Sequence, residues 1–138
     1  MKKSLLFIPV FMLAMLFVQA QTSNYKVVFD MTSRDSVNQQ SIIRELGLIR
    51  ESNPNAKLEV VVYGQGLDLV IKGRSSQESN VARLLTDKDI SFKVCAIAMK
   101  RTNISKEQLI PGVEIVPDGI YEIISKQQEG WGYIKVAH

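Results

Sequence analysis

The chain of 138 residues holds one cysteine and one histidine, and these two shortages exclude more than any other feature. A single thiol cannot close an internal disulfide, so Cys95 is an intermolecular bridge, a reactive group or a buried inert residue. The histidine is the C-terminal His138 and no Cys/His cluster exists, which argues against a metal centre and leaves Cys95 without an imidazole base. Aromatic residues make up only 7%, with no basic stripe interleaved among them, so nucleic acid is a poor partner. No apolar run is long enough for a membrane-spanning helix: Ser4 to Val18 falls short of the ~20 residues required.

That apolar run is preceded by the basic Met1-Lys2-Lys3 and followed by Val18-Gln19-Ala20, a small-x-small cleavage pattern. Residues 1–20 therefore read as a secretory signal peptide, with an uncleaved anchor as the alternative. No cysteine follows the run to carry a lipid. The expectation is one periplasmic or secreted domain over residues 21–138, off the membrane once the signal is removed. Lys2 and Lys3 supply two of the 17 basic side chains and no acid precedes residue 21, so the rest of the chain carries a net charge of only about +1.

Strand and helix patterns alternate through this domain. Tyr25 to Met31 and Lys57 to Tyr63 are β-branched, near-continuous apolar runs, as expected for strands covered on both faces. Between them Ile42, Leu46 and Ile49 recur at helical spacing, with Gly47 suggesting a close helix-to-sheet contact and Asp35 among the candidate caps. Ser75-x-x-Glu78 and Ser105-x-x-Gln108 have the spacing of capping boxes. Ile90 to Cys95 is a third strand, Ala96 to Arg101 a short helix, and Val113 to Val116 a fourth strand. Asp118 can cap a last helix in which Ile120, Ile123, Ile124 and Gln127 share a face, and Gly132 to Val136 is a final strand. With no internal repeat and no long linker, this order predicts an α/β layered sandwich with a mostly parallel sheet.

Ligands of open parallel sheets collect beyond the carboxyl ends of the strands. Cys95 closes the third strand, beside a helix start and near Lys100 and Arg101. It is a candidate nucleophile or sulfur carrier, against the alternative of a small buried hydrophobe. Thr32 and Ser33 after the first strand and Gly64, Gln65 and Gly66 after the second are expected to wall a pocket over it, with Met99 from the short helix. Gly64-Gln65-Gly66 is not a dinucleotide fingerprint, because Leu69 stands where the third glycine belongs, and a tight strand-to-helix turn is the better reading. Asp30, Asp35 and Asp68 read as a strand-end acid, a cap and a loop acid rather than a hydrolase pair. Asn103-Ile104-Ser105 matches a glycosylation sequon. Trp131 and Tyr133 read as core or interface aromatics.

Four stretches in order, Tyr63-Gly64-Gln65-Gly66-Leu67-Asp68-Leu69, Phe92-Lys93-Val94-Cys95-Ala96-x-x-Met99, Leu109 to Pro117 and Gln127-Gln128-Glu129-Gly130-x-x-Tyr133-Ile134, resemble the DsrE/DsrF-like family. The resemblance implies a flavodoxin-like three-layer α/β/α sandwich with a parallel five-stranded sheet, assembled into homo- or hetero-oligomers, often trimers or hexamers. In its sulfur-relay branch a cysteine in this region carries sulfur as a persulfide and passes it to a partner protein, which here implies Cys95 and a donor or acceptor protein. No cofactor is implied. Those relays are cytosolic, whereas residues 1–20 point to export, and many members of the family have no established activity. The open alternatives are a non-catalytic binding or assembly subunit with a structural cysteine, and an intermolecular disulfide.

Overall fold

Five strands, β1 (Lys26–Met31), β2 (Lys57–Val62), β3 (Ile90–Cys95), β4 (Glu114–Val116) and β5 (Gly132–Val136), alternate with four helices, α1 (Ser36–Ser52), α2 (Glu78–Leu84), α3 (Ala96–Arg101) and α4 (Gly119–Gln128). The computed structural model describes residues 24–136, so the signal-peptide reading of residues 1–20 lies outside the described residues. No helix among those residues is long and apolar enough to cross a membrane. Two 3₁₀ segments, Gly64–Val70 and Lys106–Gln108, fill the connections after β2 and α3.

Every strand pair is parallel and the order is β4-β3-β2-β1-β5. The three-layer α/β/α sandwich is thus present, with an order distinct from the 2-1-3-4-5 of flavodoxin. The order decides where the helices go. From β1 to β4 the chain steps along the sheet in one direction, so right-handed crossovers put α1, α2 and α3 on the same face. The step from β4 back past the whole sheet to β5 runs the other way and puts α4 alone on the opposite face.

Packing follows this division. On the crowded face Val27, Phe29 and Met31 of β1, Leu58, Val60 and Val62 of β2 and Ile90, Phe92 and Val94 of β3 meet Ile42, Ile43 and Leu46 of α1, Val81 and Leu84 of α2 and Met99 of α3. Burying each large aliphatic or aromatic side chain there contributes about 1.5–3 kcal/mol before the entropy of ordering is set against it. On the thin face the apolar cluster is Val28, Val61 and Ile123, with Tyr63 and Trp131 at its margin.

The helix starts follow their caps. Asp35 accepts a hydrogen bond from Val37 N at 2.7 Å, and Asp118 Oδ1 accepts from Ile120 N at 2.9 Å and Tyr121 N at 3.4 Å. Gln108 Oε1 accepts from Ser105 N at 2.9 Å, as the second box spacing requires. The first box does not form: Ser75 Oγ accepts from Gln77 N at 3.1 Å and Glu78 Oε2 from Gly73 N at 2.7 Å, because the turn tightens before α2 and its helix begins at Glu78 itself. Gly47 is also a correction. A Cβ built there meets nothing within 4 Å, so no close contact with the sheet calls for the glycine. In α4 only Ile123 of the expected apolar face is buried, because one helix on a broad sheet can present only a narrow stripe to it.

Candidate functional site

The strand order creates a crevice at one place. After β3 the chain turns to the crowded face through α3, and after the adjacent β4 it turns to the thin face through α4, so the carboxyl ends of β3 and β4 flank a topological switch point. A pocket of about 430 Å³ lies there, walled by Tyr63 and Gly64 after β2, Cys95 at the end of β3, Ile97, Ala98, Arg101 and Thr102 around α3, and Asp118 and Ile120 at the start of α4.

Cys95 is the N-cap residue of α3 in extended conformation, and its side chain caps no backbone N–H. Alternation along β3 sends it, with Ser91 and Lys93, towards the α4 side of the sheet. It is a free thiol, 6% exposed. The start of α4 presses on it: a Cβ at Gly119 would lie 3.2 Å from Cys95 Cβ, 3.2 Å from Val61 Cγ1 and 3.4 Å from Tyr63 Cδ1. Glycine at position 119 is therefore a steric requirement of this approach.

Tyr63 spans from the pocket to a second buried group. Burial first, and then the neighbouring Asp30 carboxylate, push its ionisation well above the ordinary phenol value, so it stays a neutral hydroxyl. Asp30 Oδ2 accepts a hydrogen bond from Tyr133 Oη at 2.7 Å and lies 3.6 Å from Lys135 Nζ, both on β5. That hydrogen bond, with burial a lesser cause, raises Tyr133 to about 12.

Beneath α4 lies a four-charge network. Lys93 Nζ is 3.1 Å from Glu59 Oε2 and 2.8 Å from Glu122 Oε1, while Lys126 Nζ is 3.6 Å from Glu59 Oε2 and 3.8 Å from Glu122 Oε1. Lys126 also sits 4.9 Å from the Trp131 ring centroid. Burial raises Glu59, only partly offset by Lys93. Burial, the largest single influence, would raise Glu122, but hydrogen bonds with Lys93 and Glu59 and the charges of Lys93 and Lys126 together outweigh it and hold this carboxyl below its usual range. Lys93 is raised, because its bonds to Glu122 and Glu59 overcome the cost of burial. Among the described residues Asp30 Oδ1 and Glu59 Oε1 are buried without a hydrogen-bond partner.

Of the residues expected from sequence, the structure brings Cys95 and Gly64 together in the pocket wall, joined by Arg101. Thr32 sits beside Gly64, within 4.0 Å of where a Cβ on that glycine would be. Ser33 is spent locally: its Oγ accepts from Asp35 N at 3.1 Å and Asn38 Nδ2 at 2.8 Å, and its carbonyl accepts from Gln39 Nε2 at 3.3 Å. Gln65 is exposed in the 3₁₀ segment. Gly66 is packed against β1, where a Cβ would come within 2.5 Å of the Met31 carbonyl oxygen, and Met99 points into the crowded core. The lining residues missed from sequence are Tyr63, Ile97, Ala98, Thr102, Asp118 and Ile120. The adjacency of β4 to β3, which the sequence does not display, is what delivers the last two. Among the described residues no group of three or more His, Cys, Asp and Glu side chains could hold a metal ion.

A fully parallel five-stranded α/β/α sheet with a thiol in its switch-point crevice defines a single-cysteine α/β pocket domain. The chain belongs to the DsrE/DsrF-like family, whose sequence model matches residues 25–136. It is similar in structure to a protein of unknown function, MTH1491 from Methanobacterium thermoautotrophicum, at 25% identity and a TM-score of 0.76 over 80% of this chain and 98% of that one. It also resembles the ychN protein from E. coli, at 18% identity and a TM-score of 0.67 over 81% of this chain and 98% of that one. A conserved protein of unknown function, BT1422 from Bacteroides thetaiotaomicron, matches at 13% identity and a TM-score of 0.67 over 85% of this chain and 99% of that one. The last two likenesses speak to the fold alone. No curated protein matches.

Proposed function

We propose that this chain is an exported sulfur-handling protein in which Cys95 accepts sulfane sulfur as a persulfide, or an oxidising equivalent, and hands it to a partner protein. The observation that carries the reading is that the chain's one thiol, though buried at the edge of the core, also forms part of the wall of a switch-point pocket. The signal-like residues 1–20 support export to the periplasm or beyond, and the family supports a homo-oligomer, a trimer or hexamer.

In the transfer, the Cys95 thiolate attacks the sulfane sulfur of a donor persulfide. A sulfur–sulfur bond forms at Cys95, the bond between the donor's two sulfurs breaks, and the donor leaves as a thiolate, so no outside oxidant is consumed. An acceptor thiolate takes the sulfur by the same exchange. The apolar walls from Ile97, Ala98 and Ile120 limit water around the persulfide, Tyr63 offers a neutral hydroxyl, and Arg101 supplies positive charge towards an anionic donor.

Incubating the purified protein with inorganic polysulfide and weighing it intact tests this. The expected result is a gain of one sulfur atom that is absent in Cys95→Ser, and no Cys95-dependent gain overturns it. The near-complete burial of Cys95 favours one competing reading, a non-catalytic binding or assembly subunit. Under it Cys95→Ser leaves oligomer and ligand binding unchanged and polysulfide adds no mass.

A further inference from the structure

We propose that α4 is a hinged cover over the Cys95 pocket, latched to the sheet by the Glu59–Lys93–Glu122–Lys126 network, so that access to the thiol is governed by release of that latch. The helix start both walls the pocket, through Asp118 and Ile120, and rests on Cys95 through Gly119. Lifting it opens the pocket from the thin face.

Apolar packing holds α4 only lightly. Ile123 is 6% exposed against Val28 and Val61, whereas Ile120, Tyr121 and Ile124 are 55%, 70% and 46% exposed. Elements with few buried apolar contacts are the ones that open locally while the rest of a domain stays folded. The other attachments are the close approach of Gly119 to Cys95, Val61 and Tyr63 and the charge network, chiefly the 2.8 Å bond from Lys93 to Glu122 and the 3.6 Å pair of Lys126 with Glu59.

The network is built to come apart. Its sheet half, Lys93 with Glu59 at 3.1 Å, is neutral in itself, and in its helix half Lys126 keeps Glu122 at 3.8 Å and Glu129 at 3.7 Å. When the helix lifts, each charge keeps a partner of opposite sign, so opening strands no isolated buried ion, the usual reason that buried ion pairs resist separation. The pivot lies after the helix at Gly130, where φ is +85°, so the part that swings furthest is the helix start over Cys95.

The functional meaning of the cover rests on the reading of Cys95 as the working thiol, but its test does not, because alkylation reports access whether or not sulfur is transferred. The purified protein is treated with iodoacetamide under native conditions and followed by intact mass, alongside hydrogen exchange. Glu122→Gln and Lys126→Gln leave the sheet pair in place. Glu122→Gln is expected to speed alkylation of Cys95 by about tenfold, the scale of losing one charge-assisted hydrogen bond, and Lys126→Gln, which removes ion pairs but no hydrogen bond, by about threefold. Exchange should quicken over residues 119–128 and not in β2 or β3. In the unsubstituted protein the α4 amides should exchange faster than those of β2 and β3. An alkylation rate unchanged by both variants, faster exchange spread through the whole sheet, or α4 amides as slow as those of β2 and β3 in the unsubstituted protein would each overturn the proposal.

Discussion

The two faces of the sheet are held by different means. Under α1, α2 and α3 the strands present Phe29, Val60, Phe92 and their neighbours to one layer of three helices, and nearly every contact is apolar. On the α4 side the same strands present Glu59 and Lys93, which a single helix answers with Glu122 and Lys126, and Asp30, which Tyr133 and Lys135 of β5 answer. Apolar burial is non-directional and strong, so it fixes the scaffold. Charge pairing at partly buried sites contributes little net stability, because desolvation offsets most of the attraction, yet it fixes position. The thiol sits where the two meet, facing Gly119 of α4 while belonging to the crowded-face core.

The sharpest way to break this contrast is to truncate one side chain on each face and measure unfolding by denaturant. Phe92→Ala, fully buried on the crowded face, should cost about 3–5 kcal/mol, and Ile123→Ala, in the sparse cluster, about 2 kcal/mol. Equal losses would mean that the thin face is packed as firmly as the other. A smaller effect is expected at the edge of the thin face. Unfolded Tyr133 ionises near 10 while the folded phenol, bonded to Asp30, keeps its proton to about 12, so unfolding releases a proton in that interval. Its contribution is therefore full below pH 10 and lost as pH rises towards about 12. Tyr133→Phe should cost about 1 kcal/mol near neutral pH, since the residue is half exposed, and should flatten that alkaline slope; a slope that persists unchanged assigns it to other groups. The smallest effect has the opposite sign. Gly47→Ala fills open space in the middle of α1 and should stabilise the protein by about 0.5–1 kcal/mol, sharpening the claim that packing on the crowded face makes no use of that glycine.

Much of the scaffold was readable from local pattern. The strand Ile90 to Cys95 and the helix Ala96 to Arg101 follow from alternation giving way to helical spacing, and the caps Asp35 and Asp118 from side-chain chemistry at helix starts. Strand order was not readable, since pairing β3 with β4 on one side and β1 with β5 on the other depends on partners far apart in the chain. That is why Asp118 reads in sequence as a cap and not as a wall over the thiol, and why Thr32 and Ser33, expected to wall the pocket, lie outside its lining. The charge network had a signal in plain view. Glu59 interrupts Leu58-Glu59-Val60 and Lys93 interrupts Phe92-Lys93-Val94, and opposite charges inside two apolar strands point to a pairing on the face away from the main core.

The placement of β5 beside β1 bears on how the molecule is made. Strands β1 to β4 add to the sheet in the order in which the chain emerges, but the other neighbour of β1 is the last strand of all, and α4 immediately precedes it. The thiol and most of its pocket wall are therefore synthesised before the cover. A nascent or prematurely ended chain that stopped short of α4 would present Cys95 to its surroundings with one side of its crevice unbuilt.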